Sequence, residues 1–250
     1  RINLNDSNSN LAQILKNLNS VTGSLLSDAD CDNIAANRPY ATKDAVRTVS
    51  GITQAKYNAI APYITAYGYV DPSVVNPQNL TLQSRSPINV NTASSQVLTA
   101  VLNGLEADKV CPACGGDGAI SFIYPVNSFG SMPCTPCGGT GNLTISSTEA
   151  ANLATYIINN RFYSDFSGLY AALQGAQGST IGANDADVVM ANANPNTGFA
   201  PGVRNYGWAS KLGYIGKYRY PEDPTMGLQA NTTEFSFNSG GYYEISSTAA

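Results

Sequence analysis

Apolar residues recur at helical spacing in several separate stretches of this 250-residue chain, with polar, glycine- and proline-marked intervals between them. The first five residues, Arg1-Ile-Asn-Leu-Asn, alternate polar and apolar side chains and read as a short extended segment. Leu11, Ile14, Leu15 and Leu18 then share one helix face, with Asn8 or Ser9 as the cap. Ser27 to Asn37 is acidic and reads as a loop. Thr42 opens a second helix bearing Ala45, Val46 and Val49, which Ser50-Gly51 stops. Thr53 opens a third helix, ending near Pro62. Residues 63–87 read as extended or irregular, because Tyr63, Ile64, Tyr67 and Tyr69 roughly alternate and prolines follow.

Beyond Pro87-Ile-Asn-Val-Asn, either Thr92 or Ser94 caps a helix with Ala93, Val97, Leu98 and Val101 on one face, and Gly104 closes it. Ser146-Ser-Thr-Glu149 is a capping box that opens a helix through Leu153, Ala154, Ile157 and Ile158. A shorter helix, capped by Ser164, carries Phe166, Leu169, Tyr170 and Leu173. Residues 174–232 are rich in Gly, Asn and Pro and read as a long irregular region. It is expected to pack over the helices through Tyr206, Trp208, Tyr214 and Tyr218, in part as short strands. Glu234-Phe-Ser-Phe and Tyr242-Tyr-Glu-Ile-Ser-Ser predict an antiparallel hairpin around Gly240-Gly241.

Two helix-hairpin-helix units follow from this pattern. One turns through Ser50-Gly51-Ile52, and the other turns at Asn103-Gly104-Leu105 and resumes at Ser147. The paired asparagines, Asn3 with Asn5 and Asn89 with Asn91, are expected to bond nearby backbone and cap helices.

Inside the second hairpin lie two matching knuckles, Cys111-Pro-Ala-Cys114-Gly-Gly-Asp-Gly and Cys134-Thr-Pro-Cys137-Gly-Gly-Thr-Gly, with 19 residues between the pairs. Two tight turns at this spacing present four thiolates to one tetrahedral ion, and zinc is the usual occupant. Glycine after each second cysteine accepts the turn conformation without steric cost. Residues 107–144 therefore read as a zinc ribbon inserted between two helices, whose ends must lie close together. Four protein ligands leave no open position for water, so the site is structural. Thiol–disulfide exchange or two local disulfides are the rival chemistry. Cys31, the odd cysteine, reads as a small buried hydrophobe.

Composition removes several functions. The chain has no histidine, which excludes the Ser-His-Asp and Cys-His arrangements and every His-ligated metal. Thirteen Lys plus Arg against 17 acids leave a net charge of −4, a poor footprint for nucleic acid. A helix-hairpin-helix can still bind DNA backbone, and Lys56 is the one well-placed cation near the first turn. Asp28, Asp30 and Asp32 alternate like the start of a calcium loop. The required sixth-position glycine is Asn33 and the twelfth residue is Pro39, which favours a plain solvated loop. No apolar run approaches the 18 or so residues that span a bilayer. A start at Arg1 without Met reads as a piece of a longer protein.

The order of these segments resembles a known family. Arg1-Ile-Asn-Leu-Asn with its amphipathic helix, the Thr42–Tyr57 hairpin, Pro62-Tyr-Ile-Thr-Ala-Tyr67, Ile88-Asn-Val-Asn-Thr-Ala93 with Val97-Leu98, then Phe162–Leu173 and a closing Phe235–Ile245 strand pair are similar to general secretion pathway protein K, a minor pseudopilin of type II secretion systems. The resemblance implies an α+β chain: a mainly helical domain, residues 8–232, inserted in a pilin-like fold. Residues 1–7 would lead in from the pilin part and 233–250 would begin its sheet. It implies no enzymatic activity, but a place at the tip of a periplasmic pseudopilus with other minor pseudopilins, other secretion-system components and secreted substrates as partners. Anchorage in the inner membrane would come through an N-terminal helix absent from this chain. It also allows calcium near the sheet, with Glu222 and Asp223 as contributors. Separately, the Cys-x-x-Cys-Gly-x-Gly knuckles resemble the cysteine-rich region of the DnaJ chaperone family, which leaves a thiol-redox or chaperone-like protein of the cell envelope as an alternative.

Overall fold

The computed structural model describes residues 1–6, 11–66, 69–70, 80–81, 88–109, 119–124, 128–133, 142–193, 214–216 and 235–237. They form an α+β chain in which helices dominate and the sheets are small. Strand β1 (Ile2–Asn3) leads to helices α1 (Leu11–Thr22) and α2 (Asp28–Ala36), a 3-10 helix (Lys43–Thr48), α3 (Gln54–Ile60) and β2 (Ile64–Thr65). β2 returns parallel to β1, with Ile2 opposite Ile64. An antiparallel pair, β3 (Tyr69–Val70) and β4 (Leu80–Thr81), follows. Then come β5 (Ile88–Asn89), α4 (Ser95–Leu102), β6 (Glu106–Lys109), β7 (Ala119–Tyr124), β8 (Ser128–Pro133), β9 (Asn142–Thr144), α5 (Ser147–Asn159), α6 (Phe166–Ala176), α7 (Asp185–Ala193), β10 (Tyr214–Gly216) and β11 (Phe235–Ser236). β11 lies parallel to β5, with Phe235 opposite Ile88.

One topology occurs twice. Each copy runs strand, two helices, a turn, two more helices and a strand that closes parallel on the first. The same polar clamp fixes both copies. In the first, Asn5 donates from Nδ2 to the Tyr40 carbonyl (2.8 Å) and accepts the Tyr40 amide at Oδ1 (2.7 Å). In the second, Asn91 does the same to Tyr163, at 2.8 and 2.9 Å. Asn3 and Asn89 each accept the amide two residues on. The Tyr40 hydroxyl donates to the Ile34 carbonyl and the Tyr163 hydroxyl to the Ile157 carbonyl, each within the last turn of a helix. Those carbonyls have no partner within their helix, so the buried tyrosines complete them. Burial pushes both phenols up to about 12. Arg38 and Arg161, each two residues before its tyrosine, bond carbonyls beside the asparagine, Asp6 in the first copy and Val90 and Ala93 in the second.

The copies share one core. The apolar stripe of α1 buries Leu11, Ile14, Leu15 and Leu18 as its spacing predicts, and it packs on α4. Each fully buried leucine contributes roughly 2 kcal/mol by area. Asn17, on the same face, donates to the carbonyls of Ala100 (3.0 Å) and Asn103 (2.9 Å), so the first copy caps the end of the second copy's first helix. Among the described residues no helix is long and apolar enough to cross a membrane.

Several expectations change. The acidic stretch after Ser27 is not a loop but α2, opened by a capping box between Ser27 and Asp30. The segment after Thr42 is a 3-10 helix, and α6 is capped by Asp165, not Ser164. The region 174–232 contains the end of α6, all of α7 and β10. The described part of the C-terminal β segment pairs parallel, because β11 mirrors β2; the hairpin expected at Gly240-Gly241 lies outside the described residues. The equivalent hairpins are also paired differently. The α4–α5 hairpin matches α1–α2, and the Gly51 hairpin matches the one at Gly178; both glycines hold positive φ (89° and 73°).

Candidate metal centre

The insertion expected at 107–144 grows from the turn after α4. Gly104 holds φ of 81°, as Gly23 does (60°) in the matching turn of the first copy. The Gly104 amide donates to the Ile145 carbonyl (2.9 Å) and the Ile145 amide to Leu105 (2.8 Å), so the two ends of the insertion are side by side. From there β6 and β9 pair antiparallel, with Ala107 opposite Leu143. Further out β7 and β8 form a second antiparallel ladder, from Ala119 opposite Pro133 to Tyr124 opposite Ser128.

These two ladders bracket both knuckles. Cys111 follows β6 by two residues and Cys114 precedes β7 by five; Cys134 directly follows β8 and Cys137 precedes β9 by five. All four lie outside the described residues. Covalent reach alone places each cysteine within about 18 Å of a paired strand end, at roughly 3.5 Å per residue. The first knuckle starts after β6 and the second ends before β9, its ladder partner, while the first ends before β7 and the second starts after β8, which are likewise paired. Two Cys-x-x-Cys turns fit a closed tetrahedral zinc site. Among the described residues no group of three or more His, Cys, Asp or Glu converges to hold a metal.

The inner ladder is wider than the knuckle pattern implies. β10, from the long segment after α7, pairs antiparallel with the other edge of β6, with Ile215 opposite Asp108, and the sheet order is β10-β6-β9. Helix α7 packs against both β10 and β6. Ala107 is fully buried at this junction and Leu105 is 2 % exposed.

The other candidate residues have structural duties. Asp30 is 4 % exposed; its Oδ2 accepts the Ser27 amide (2.7 Å) and the Lys56 ammonium (2.7 Å). Burial opposes its ionisation, but the hydrogen bonds from Lys56 and Ser27 outweigh it and hold the carboxyl below its ordinary value. Lys56 also donates to the Gly51 carbonyl (2.9 Å), so the one well-placed cation near the first turn, the residue a DNA-binding alternative would need, is engaged inside the hairpin. Asp32 pairs with Lys16 at 2.9 Å. The alternating carboxylates thus sit on a helix and serve two lysines, not a calcium loop; Glu222 and Asp223 lie outside the described residues. Cys31 is fully buried on α2, and burial, with help from Asp28, pushes its thiol up to about 11, so it stays protonated and inert.

What the sequence reading missed is the Asn–Tyr clamp and the strand β10 on β6. The first had a signal, Ile-Asn-x-Asn and Arg-x-Tyr occurring twice in the same order. No family model matches this chain, and neither a curated protein nor a solved structure does.

Proposed function

We propose that this chain is a non-enzymatic structural subunit of the general secretion pathway protein K kind, the bulky minor pseudopilin at a type II secretion pseudopilus tip. Its work is steric and adhesive: a helical head with a thiolate-bound zinc ribbon that contacts neighbouring pseudopilins and exported proteins on the periplasmic side of the inner membrane. The finer assignment of a pilin-like fold around this head belongs to the same reading. The observation that carries it is the ordered run of segments from Arg1-Ile-Asn-Leu-Asn through Ile88-Asn-Val-Asn to Phe235. The α+β architecture dominated by helices is compatible with it. Lys56, internally bonded, weighs against the DNA-binding alternative.

Two measurements test this. Mixing the chain with the periplasmic domains of two smaller minor pseudopilins from the same cell gives a 1:1:1 complex by light scattering; three separate species refute the role. Elemental analysis gives one zinc per chain, with four thiols released only by a chelator. Two thiols that exchange rapidly with a disulfide reagent, with no metal present, establish the thiol-redox alternative instead.

A further inference from the structure

The α1–α2 and α4–α5 connections are one turn, met once without an insertion and once with it. Gly23 stands 4 residues before the capping Ser27, and Gly104 stands 42 residues before Ser146, an excess of 38. Both glycines hold positive φ, and the residue just before each cap is buried, Leu26 at 6 % exposure and Ile145 at 1 %. A buried residue leaving a turn needs partners for its amide and its carbonyl. The two copies supply them by different means. In the second, the backbone at the base of the insertion does so: the Gly104 amide donates to the Ile145 carbonyl (2.9 Å) and the Ile145 amide to the Leu105 carbonyl (2.8 Å). In the first, α1 and α2 are joined with no strand between them. One side chain does the whole task there: Asn19 donates from Nδ2 to the Leu26 carbonyl (2.9 Å) and accepts the Leu26 amide at Oδ1 (3.1 Å). The matching position in the second copy, four residues before the glycine, is Ala100, fully buried and without a polar side-chain atom.

We infer that residues 107–144 are an excisable insertion, and that Asn19 is the side chain that closes this turn when the ladder is absent. Removing 107–144 takes out the 38 residues by which the turns differ and leaves Gly104-Leu-Glu-Ile-Ser at the spacing of Gly23-Ser-Leu-Leu-Ser. The helical core is retained because α4 is held by α1 and α5, neither of which is removed. The cost falls on α7, which packs against β6, and on β10, which pairs with it. Any chemistry the insertion carries is thus borne on an element that the helical head does not need in order to fold. None of this depends on what the knuckles bind.

Three chains test it by thermal unfolding and amide exchange: the full chain, the chain lacking 107–144, and a chain with 107–144 replaced by a Gly-Ser linker of equal length. The excised chain is expected to unfold in one cooperative step, with protection in α1, α4 and α5 within about threefold of the full chain and protection in α7 reduced by about tenfold or more. Ala100→Asn is then made in the full and the excised chains. In the excised chain it supplies the two bonds that Leu26 receives from Asn19, and the thermal midpoint is expected to rise by about 2–4 °C. In the full chain both groups of Ile145 are already bonded, so the same change overpacks a buried site and lowers the midpoint. Loss of cooperative unfolding in both the excised and the linker chains refutes excisability. Folding of the linker chain alone overturns the match between the two turns, and midpoints that shift in the same direction overturn the role given to Asn19.

Discussion

The two copies of the repeat solve the same folding problem with different amounts of charge. Both open their second helix with the same reciprocal cap, Ser27 with Asp30 and Ser146 with Glu149. In the first copy the acid is buried and ion-paired: Asp30 takes the Lys56 ammonium across the hairpin, and that lysine also bonds the Gly51 carbonyl. In the second copy Glu149 is only half-buried and serves only Ser146 among the hydrogen bonds described. A cap alone suffices to start the helix. The first copy, with a 3-10 helix and a seven-residue α3 in its second hairpin, adds an ion pair; the second copy has two longer helices there, and among its described residues no ion pair bridges them. The feature common to both is the Asn–Tyr clamp, and the knuckle-bearing insertion is confined to the second.

The clamp should give the largest effects. Asn5→Leu leaves the Tyr40 amide and carbonyl buried without their partner; Asn91→Leu does the same to Tyr163 and also takes a donor from the Phe237 carbonyl. At about 1–3 kcal/mol for each orphaned group, either change costs about 3 kcal/mol in denaturant unfolding. Losses of similar size, with the larger at Asn91 for its extra bond to Phe237, sharpen the comparison. A loss below about 1 kcal/mol at one site alone shows that the copies are not mechanically equivalent.

The turn glycines come next and should separate the copies. Gly51 has positive φ, and a Cβ there would sit 2.7 Å from Asp30 Oδ1. Gly178 also has positive φ, but a Cβ would meet nothing within 4 Å. Gly178→Ala therefore carries only the backbone cost of the left-handed region, about 1 kcal/mol, while Gly51→Ala adds displacement of the ion-paired carboxylate, for about 2–3 kcal/mol. Thermal unfolding of the two variants side by side checks the ranking. Equal losses would mean that Asp30 and Lys56 shift at no cost.

Much of this architecture was readable from the residues, and the failures have physical causes. Helices α1, α4 and α5 declare themselves through apolar positions at three- and four-residue spacing, and their burial follows the pattern. Helix α2 does not, since Asp28-Ala-Asp-Cys-Asp-Asn offers mostly acids; its inward side is Asp30, Cys31 and Ile34, and the buried acid depends on a lysine 26 residues away. Helix α7 buries Ala186, Val188, Val189 and Met190, so its apolar residues show no amphipathic period inside a Gly- and Asn-rich stretch. The knuckles stand out in the sequence because metal coordination would fix their spacing, but their four cysteines lie outside the described residues. The strand that joins β6 was not legible, because its three residues carry no more than weak local preference and their pairing is set by a partner about 100 residues away.

The subtlest difference between the copies is in their response to pH. In the first, Asp30 is held below its ordinary value near 3.8, so its contribution is present above that value and is lost as pH falls through the lower folded value. In the second, burial raises Asp185 despite the Gly182 amide it accepts, and raises Asp187 despite the Tyr170 hydroxyl it accepts. Their sign is opposite: the folded state favours the proton, so their contribution is complete below about 3.8 and is lost as pH rises through the raised values. At neutral pH α7 therefore carries two carboxylates that the fold would prefer protonated. Asn keeps the accepting oxygen at both places, so Asp185→Asn with Asp187→Asn should stabilise the chain at pH 7 and lose that advantage as pH falls through the raised values toward about 3.8. Asp30→Asn should destabilise it at pH 7, with the deficit shrinking only in stronger acid. Unfolding curves from pH 7 down to 3 separate the two cases. If both variants move in the same direction with pH, then the two copies respond to pH as one unit, and the electrostatic contrast between them is wrong.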